Sequence, residues 1–158
     1  MIKGVQKQVK NLVELRAVAE GFLRDLASRP PQKNATVVGL SGDLGAGKTA
    51  FVKCVAAALG ISEVVTSPTF ILEKIYIIPR DSMAGSHFLK LIHIDAYRLH
   101  KGEEMRALEW EAVLTDESNL IFIEWPEQVA EAMPKDMIKL SFNYVSEGVR
   151  AVTIEDVA

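Results

Sequence analysis

The sequence predicts an α/β fold with a mixed central sheet, and three observations carry that prediction. First, the apolar, β-branched run Thr36-Val37-Val38-Gly39-Leu40-Ser41 leads through glycines into a helical stripe of Phe51, Val55 and Leu59. Second, the apolar runs Leu91-Ile92-His93-Ile94 and Asn119-Leu120-Ile121-Phe122-Ile123 each end in a carboxylate, Asp95 and Glu124. Third, the tail alternates through Ile138, Leu140 and Phe142, then Val152 and Ile154. With Ser146-Glu147-Gly148 as the turn, this is a C-terminal β-hairpin. At 158 residues the chain is expected to be a single domain over 1–158, long enough to bury a sizeable core.

In chain order, residues 9–28 read as an amphipathic helix. Leu12, Leu15, Val18, Ala19, Phe22, Leu23 and Leu26 form its apolar stripe. Arg29-Pro30-Pro31-Gln32-Lys33-Asn34 breaks it. Strand, glycine loop and helix then occupy 36–60, with Gly60 placed as the C-terminal cap. Ser67-Pro68-Thr69 resists continuing a helix. Residues 70–78 are β-rich and predict a strand, and 88–94 predict another. The two are expected to pair across the turn-forming loop Pro79-Arg80-Asp81-Ser82-Met83-Ala84-Gly85-Ser86. Residues 103–117 carry acids and a weak helical period, with Met105, Leu108, Ala112 and Val113 facing inward. A short helical stretch over 127–132 precedes Pro134. No internal repeat or low-complexity segment is evident.

The glycine loop carries the chemistry. Gly42-Asp43-Leu44-Gly45-Ala46-Gly47-Lys48-Thr49 fits G-x-x-x-x-G-K-S/T, the P-loop pattern, and its flanks supply the strand and helix that pattern requires. The fold class is therefore a P-loop NTPase-like three-layer α/β fold. Glycines let successive N–H groups turn toward an anion, and the start of a helix, through Thr49 and Ala50, adds unpaired donors and a positive dipole end. Lys48 is expected to reach the β- and γ-phosphates of a nucleotide and Thr49 to offer its hydroxyl to Mg²⁺.

Asp95 and Glu124 stand where an open α/β sheet gathers its ligands, outside the carboxyl ends of its strands. Mg²⁺ prefers oxygen ligands. Asp95 is assigned to the metal, and Glu124 to the attacking water as well as to the metal's surroundings. Thr69 is a third candidate for Mg²⁺, in a proline-ordered loop able to sense a γ-phosphate. Trp125 is either a packing residue or, because it directly follows Glu124, a candidate at the nucleotide. His93, which shares a strand face with Asp95, reads as a structural histidine, and Trp110 as a packing residue. Arg98 is either a phosphate contact or a solvated arginine.

Bulk properties exclude several classes. The net charge of −3 provides no global basic footprint for nucleic acid, and no DNA partner is expected. The N-terminus lacks a signal-peptide core, and no run of ~18 apolar residues spans a membrane. The single cysteine, Cys54, rules out an internal disulfide and fits a cytoplasmic protein. Its place in the helix after the loop suits burial as a small hydrophobe.

Together the motifs resemble one family, TsaE (also YjeE), the P-loop ATPase of bacterial tRNA threonylcarbamoyladenosine synthesis. The resemblance rests on the glycine loop, Ser67-Pro68-Thr69-Phe70, His93-Ile94-Asp95-Ala96-Tyr97-Arg98-Leu99 and Glu124-Trp125-Pro126-Glu127. It implies ATP and Mg²⁺ as ligands. It also implies support of a TsaB–TsaD assembly that modifies an anticodon-loop adenosine, so tRNA would be met only through that assembly. Position by position it implies phosphate and Mg²⁺ roles for Lys48 and Thr49, a switch at Thr69, a metal-associated acid at Asp95 and an acid–aromatic pair at Glu124 and Trp125. The chain departs from the pattern at Leu108-Glu109-Trp110-Glu111, where the family commonly has a glycine-containing segment. The loop over 79–86 also looks longer than usual.

Two other classes compete. A small-molecule kinase would share the P-loop but usually adds an arginine-rich lid, which this sequence lacks. A nucleotide-dependent scaffold would bind without hydrolysis, which Glu124 argues against. The absence of an N-K-x-D base-reading motif favours ATP over GTP.

Overall fold

A computed structural model describes residues 4–68, 72–84 and 87–156. Its described strands form one seven-stranded sheet: β1 (Val5–Val9), β2 (Thr36–Gly42), β3 (Glu73–Ile77), β4 (Lys90–Asp95), β5 (Asn119–Glu124), β6 (Ile138–Ser146) and β7 (Val149–Glu155), in the order β1-β7-β6-β2-β5-β4-β3. β2 pairs in parallel with β5 and β6, and β4 pairs in parallel with β5. The remaining pairs, β3 with β4, β6 with β7 and β1 with β7, are antiparallel. The sheet is thus mixed, and both expected hairpins are present.

The parallel strands are buried on both faces. All six residues of β5 are inaccessible or nearly so, which is why they read as an unbroken apolar run. One face packs against α1 (Leu12–Ser28) and α2 (Lys48–Ala58). There Phe51 lies 6.1 Å from Phe22, 6.2 Å from Phe122 and 5.7 Å from Phe142, ring centre to ring centre. Such tilted and edge-on pairs join helix to helix and helix to sheet. The other face is covered by a 3₁₀ segment Gly102–Leu108, the short α3 (Trp110–Thr115) and a second 3₁₀ segment Pro126–Ala132, around Ile94, Ile123, Met105, Trp110 and Val129. Three layers result.

Several boundaries differ from the sequence expectation. The first helix begins at Leu12, not residue 9. Asn11 caps it by accepting the Glu14 N–H at 2.9 Å, and Val9 belongs to β1. β1 has no clear signature in the sequence, because Gln6, Lys7 and Gln8 carry no apolar alternation. The stretch 103–117 divides at Glu109, whose φ of 52° ends the 3₁₀ turns before α3 starts. The expected helix over 127–132 is 3₁₀, opened by Pro126 and kinked at Val129. α2 ends as expected, with Gly60 just beyond it at a φ of 78°. Cys54 is half-buried against the core, and burial pushes its thiol up, away from the reactive thiolate. Among the described residues no helix is long and apolar enough to cross a membrane.

Candidate active site

The strand order brings the carboxyl ends of β2, β5 and β4 side by side. Leu40 is in register with Glu124, and Glu124 with Asp95. Residues opposite each other in a parallel pair share a face, so both acids lie beneath the start of α2. Asp95 and Glu124 are only 5% and 3% exposed, so neither is a solvent-facing strand end.

The glycine loop is shaped by its backbone. Gly42 has a φ of 151°, and a Cβ there would stand 2.5 Å from the Phe142 carbonyl oxygen of β6. Only glycine permits that approach. Asp43, Leu44 and Gly45 are exposed at the tip, and Ala46 turns the chain back with an N–H to the Asp43 carbonyl at 3.0 Å. Gly47, at a φ of 112°, is the N-cap of α2, and its carbonyl accepts from Phe51 N–H at 2.9 Å. The N–H groups of the first turn, from Lys48 through Ala50, have no acceptor within the helix. They open on a cavity of about 340 Å³ that Ser67, Asp95, Tyr97, Glu124 and Trp125 also line. Hollows of about 430 and about 840 Å³ lie elsewhere, but neither touches the glycine loop.

Lys48, Thr49, Asp95, Glu124 and Trp125 line the cavity at the helix start. The Lys48 ammonium is turned back onto the loop, donating to the carbonyls of Gly42 and Asp43, and lies 4.1 Å from the centre of the Trp125 ring. Burial pushes Lys48 below the usual lysine range, against the opposing pull of Glu124, Glu127, Asp95 and Asp43. The Thr49 hydroxyl donates to Glu124, 3.0 Å from both carboxylate oxygens. Asp95 Oδ1 accepts the Tyr97 N–H at 2.9 Å.

Trp125 holds a left-handed conformation, φ 61° and ψ 48°, with its N–H on the Leu40 carbonyl at 3.1 Å. A tryptophan there is strained by about 1–3 kcal/mol, a cost concentrated at functional sites. The twist carries the ring to 5.1 Å from that of Tyr97, at the mouth of the cavity. Glu127 accepts the Ser41 hydroxyl at 2.9 Å, and Gln128 donates to the Tyr97 carbonyl at 3.2 Å, tying this segment to β2 and to the residues after β4.

Of the residues selected from sequence, the glycine loop, Lys48, Thr49, Ala50, Asp95, Glu124 and Trp125 are brought together. Thr69 lies outside the described residues, and Arg98 is exposed. Two neighbours escaped functional assignment. The Tyr97 ring packs at a tilt of 53° against that of Trp125. His93 is fully buried and places Nε2 2.6 Å from Glu124 Oε2. The signal for His93 was its position two residues before Asp95 on a single strand face.

The donors suit a hard cation beside an anion. A hydroxyl and two carboxylates are oxygen ligands of the kind Mg²⁺ takes. Among the described residues no three His, Cys, Asp or Glu converge as a metal cage.

A parallel-centred α/β sheet whose first parallel strand runs through such a loop into a helix defines a P-loop protein. Comparison with known proteins narrows the class. The family model described as "Threonylcarbamoyl adenosine biosynthesis protein TsaE" matches residues 9–152, and the chain belongs to that family. A TsaE from Treponema pallidum is 35% identical over 122 residues, covering 77% of this chain and 83% of the relative. One from Rickettsia typhi is 30% identical over 151 residues, covering 95% and 90%. The crystal structure of Bacillus subtilis YdiB superposes with a TM-score of 0.74 at 28% identity, over all of this chain and 88% of that one. The chain therefore has the TsaE family's role in tRNA threonylcarbamoyladenosine biosynthesis.

Proposed function

We propose that the protein is a Mg²⁺-dependent ATPase that supports a TsaB–TsaD transferase assembly and reaches tRNA only through it. The observation that carries this reading is the contact between Thr49 and Glu124 at the start of α2. A hydroxyl has one proton and two lone pairs. Thr49 can donate to Glu124 and still turn an oxygen lone pair to a metal ion, with Asp95 on the same face. Mg²⁺, when bound, would neutralise charge developing on the transferred phosphate.

The chain's own groups supply the rest. The loop amides and the start of α2 bind phosphate. Lys48 leaves the Gly42 and Asp43 carbonyls for phosphate oxygens, a stronger, charge-assisted partner. Glu124 orients the attacking water and accepts its proton. Trp125 and Tyr97 narrow the mouth of the cavity. Thr69 is retained as the proposed switch.

The test is phosphate release from γ-labelled ATP with Mg²⁺, with and without purified TsaB–TsaD. Label should appear as free phosphate, and Lys48→Ala should abolish its release while staying folded. Label on a small-molecule acceptor would make the protein a kinase. Equal release by folded Lys48→Ala would remove the loop from the chemistry.

A further inference from the structure

His93 lies in the middle of β4, with no exposed surface, behind the two acids rather than beside the cavity. In register it stands opposite Phe122, one face-sharing step before the Asp95–Glu124 pair. Its ring reaches along that face, and Nε2 meets Glu124 Oε2 at 2.6 Å. The same carboxylate receives the Thr49 hydroxyl at 3.0 Å. Glu124 is therefore held between a flexible hydroxyl at the helix start and a rigid ring from the core.

The other ring nitrogen decides the tautomer. Nδ1 is buried and has no hydrogen-bond partner among the described residues. With the proton on Nε2, the ring donates to Glu124 and leaves only a lone pair unpartnered. With the proton on Nδ1, a lone pair would face a carboxylate and an N–H would be buried unpaired, which is costlier.

We propose that His93 is a positioning residue for hydrolysis, donating its Nε2–H to Glu124 and so fixing the direction in which that carboxylate faces the attacking water. It touches neither nucleotide nor water itself. A glutamate has three side-chain torsions, and a second hydrogen bond removes much of that freedom. The inference rests on the ATPase reading above.

The test separates positioning from mere core filling. His93→Leu keeps the volume without a donor, and His93→Gln returns an amide N–H near the Nε2 position. His93→Leu should bind a fluorescent ATP analogue within about threefold of wild type while kcat falls about 10–100-fold. His93→Gln should recover most of that rate. Because His93 acts through Glu124, adding His93→Leu to Glu124→Gln should slow hydrolysis no further. In ¹⁵N-histidine-labelled protein without nucleotide, one ring should carry its proton on Nε2, with a resonance that moves in Glu124→Gln. Additive losses in the double variant, no rescue by glutamine, or a ring protonated on Nδ1 would each overturn the proposal. Wild-type protein that releases no phosphate would reject the ATPase reading, while the spectrum separately decides whether the His93–Glu124 bond exists.

Discussion

The Thr49 hydroxyl stands 3.0 Å from both oxygens of Glu124, across 75 residues of sequence. The contact couples the first turn of α2 to the end of β5. A ligand that pulls on Thr49 therefore also moves the acid assigned to water, and this coupling underlies the first prediction.

Glu124→Gln should bind ATP–Mg²⁺ with near wild-type affinity but hydrolyse it about 10²–10⁴-fold more slowly. The amide nearly matches the carboxylate in shape and keeps an oxygen for the Thr49 hydroxyl, while the proton acceptor is lost. Single-turnover phosphate release beside equilibrium binding measures both halves. The variant should also dwell longer in an ATP-dependent complex with TsaB–TsaD. Unchanged dwell time with impaired hydrolysis would keep the catalytic role and remove the switch.

Asp95→Asn should raise the Mg²⁺ concentration needed for half-maximal rate by about 10–100-fold. Asparagine still accepts the Tyr97 N–H through its Oδ1, so the turn after β4 survives and only the charge is removed. A Mg²⁺ titration of steady-state rate is the measurement. An unchanged midpoint would make Asp95 a residue of the turn alone.

Gly42→Ala should destabilise the protein by about 1–3 kcal/mol, the cost of overpacking. The new methyl would meet the Phe142 carbonyl oxygen at 2.5 Å, and that backbone is pinned by β6 pairing with both β2 and β7. Urea unfolding should show the loss, and nucleotide binding should weaken as the loop shifts. Full stability in the variant would mean that β6 yields freely at this point.

Glu109→Gly should stabilise the protein by about 1 kcal/mol, the cost of a left-handed residue bearing a Cβ. Glu109 has a φ of 52° at the junction between the 3₁₀ turns and α3. Glycine adopts this left-handed conformation without the penalty that a Cβ carries. An increased urea midpoint at unchanged slope is the expected result. A decrease would show that the Glu109 side chain makes a compensating contact.

The sequence by itself determined the parts of the molecule that rest on local chemistry. The glycine pattern specifies backbone that can approach an anion, Lys48 and Thr49 follow it at the start of a helix, and unbroken apolar runs ending in Asp95 and Glu124 mark buried parallel strands. These signals survive without a fold because they depend on residue type and short spacing. Only the tertiary structure decided what depends on distant segments meeting. β1 is strand because β7 offers it an open antiparallel edge, not because Gln6, Lys7 and Gln8 prefer extension. The 3₁₀ form of 126–132 follows from Pro126 and from the kink at Val129 against the core. The pairing of His93 with Glu124 was invisible because 31 residues separate them, and the strand order that places β4 beside β5 is a property of the whole sheet. Sheet order is chosen by the total burial of both faces, a sum over the chain that no local window contains.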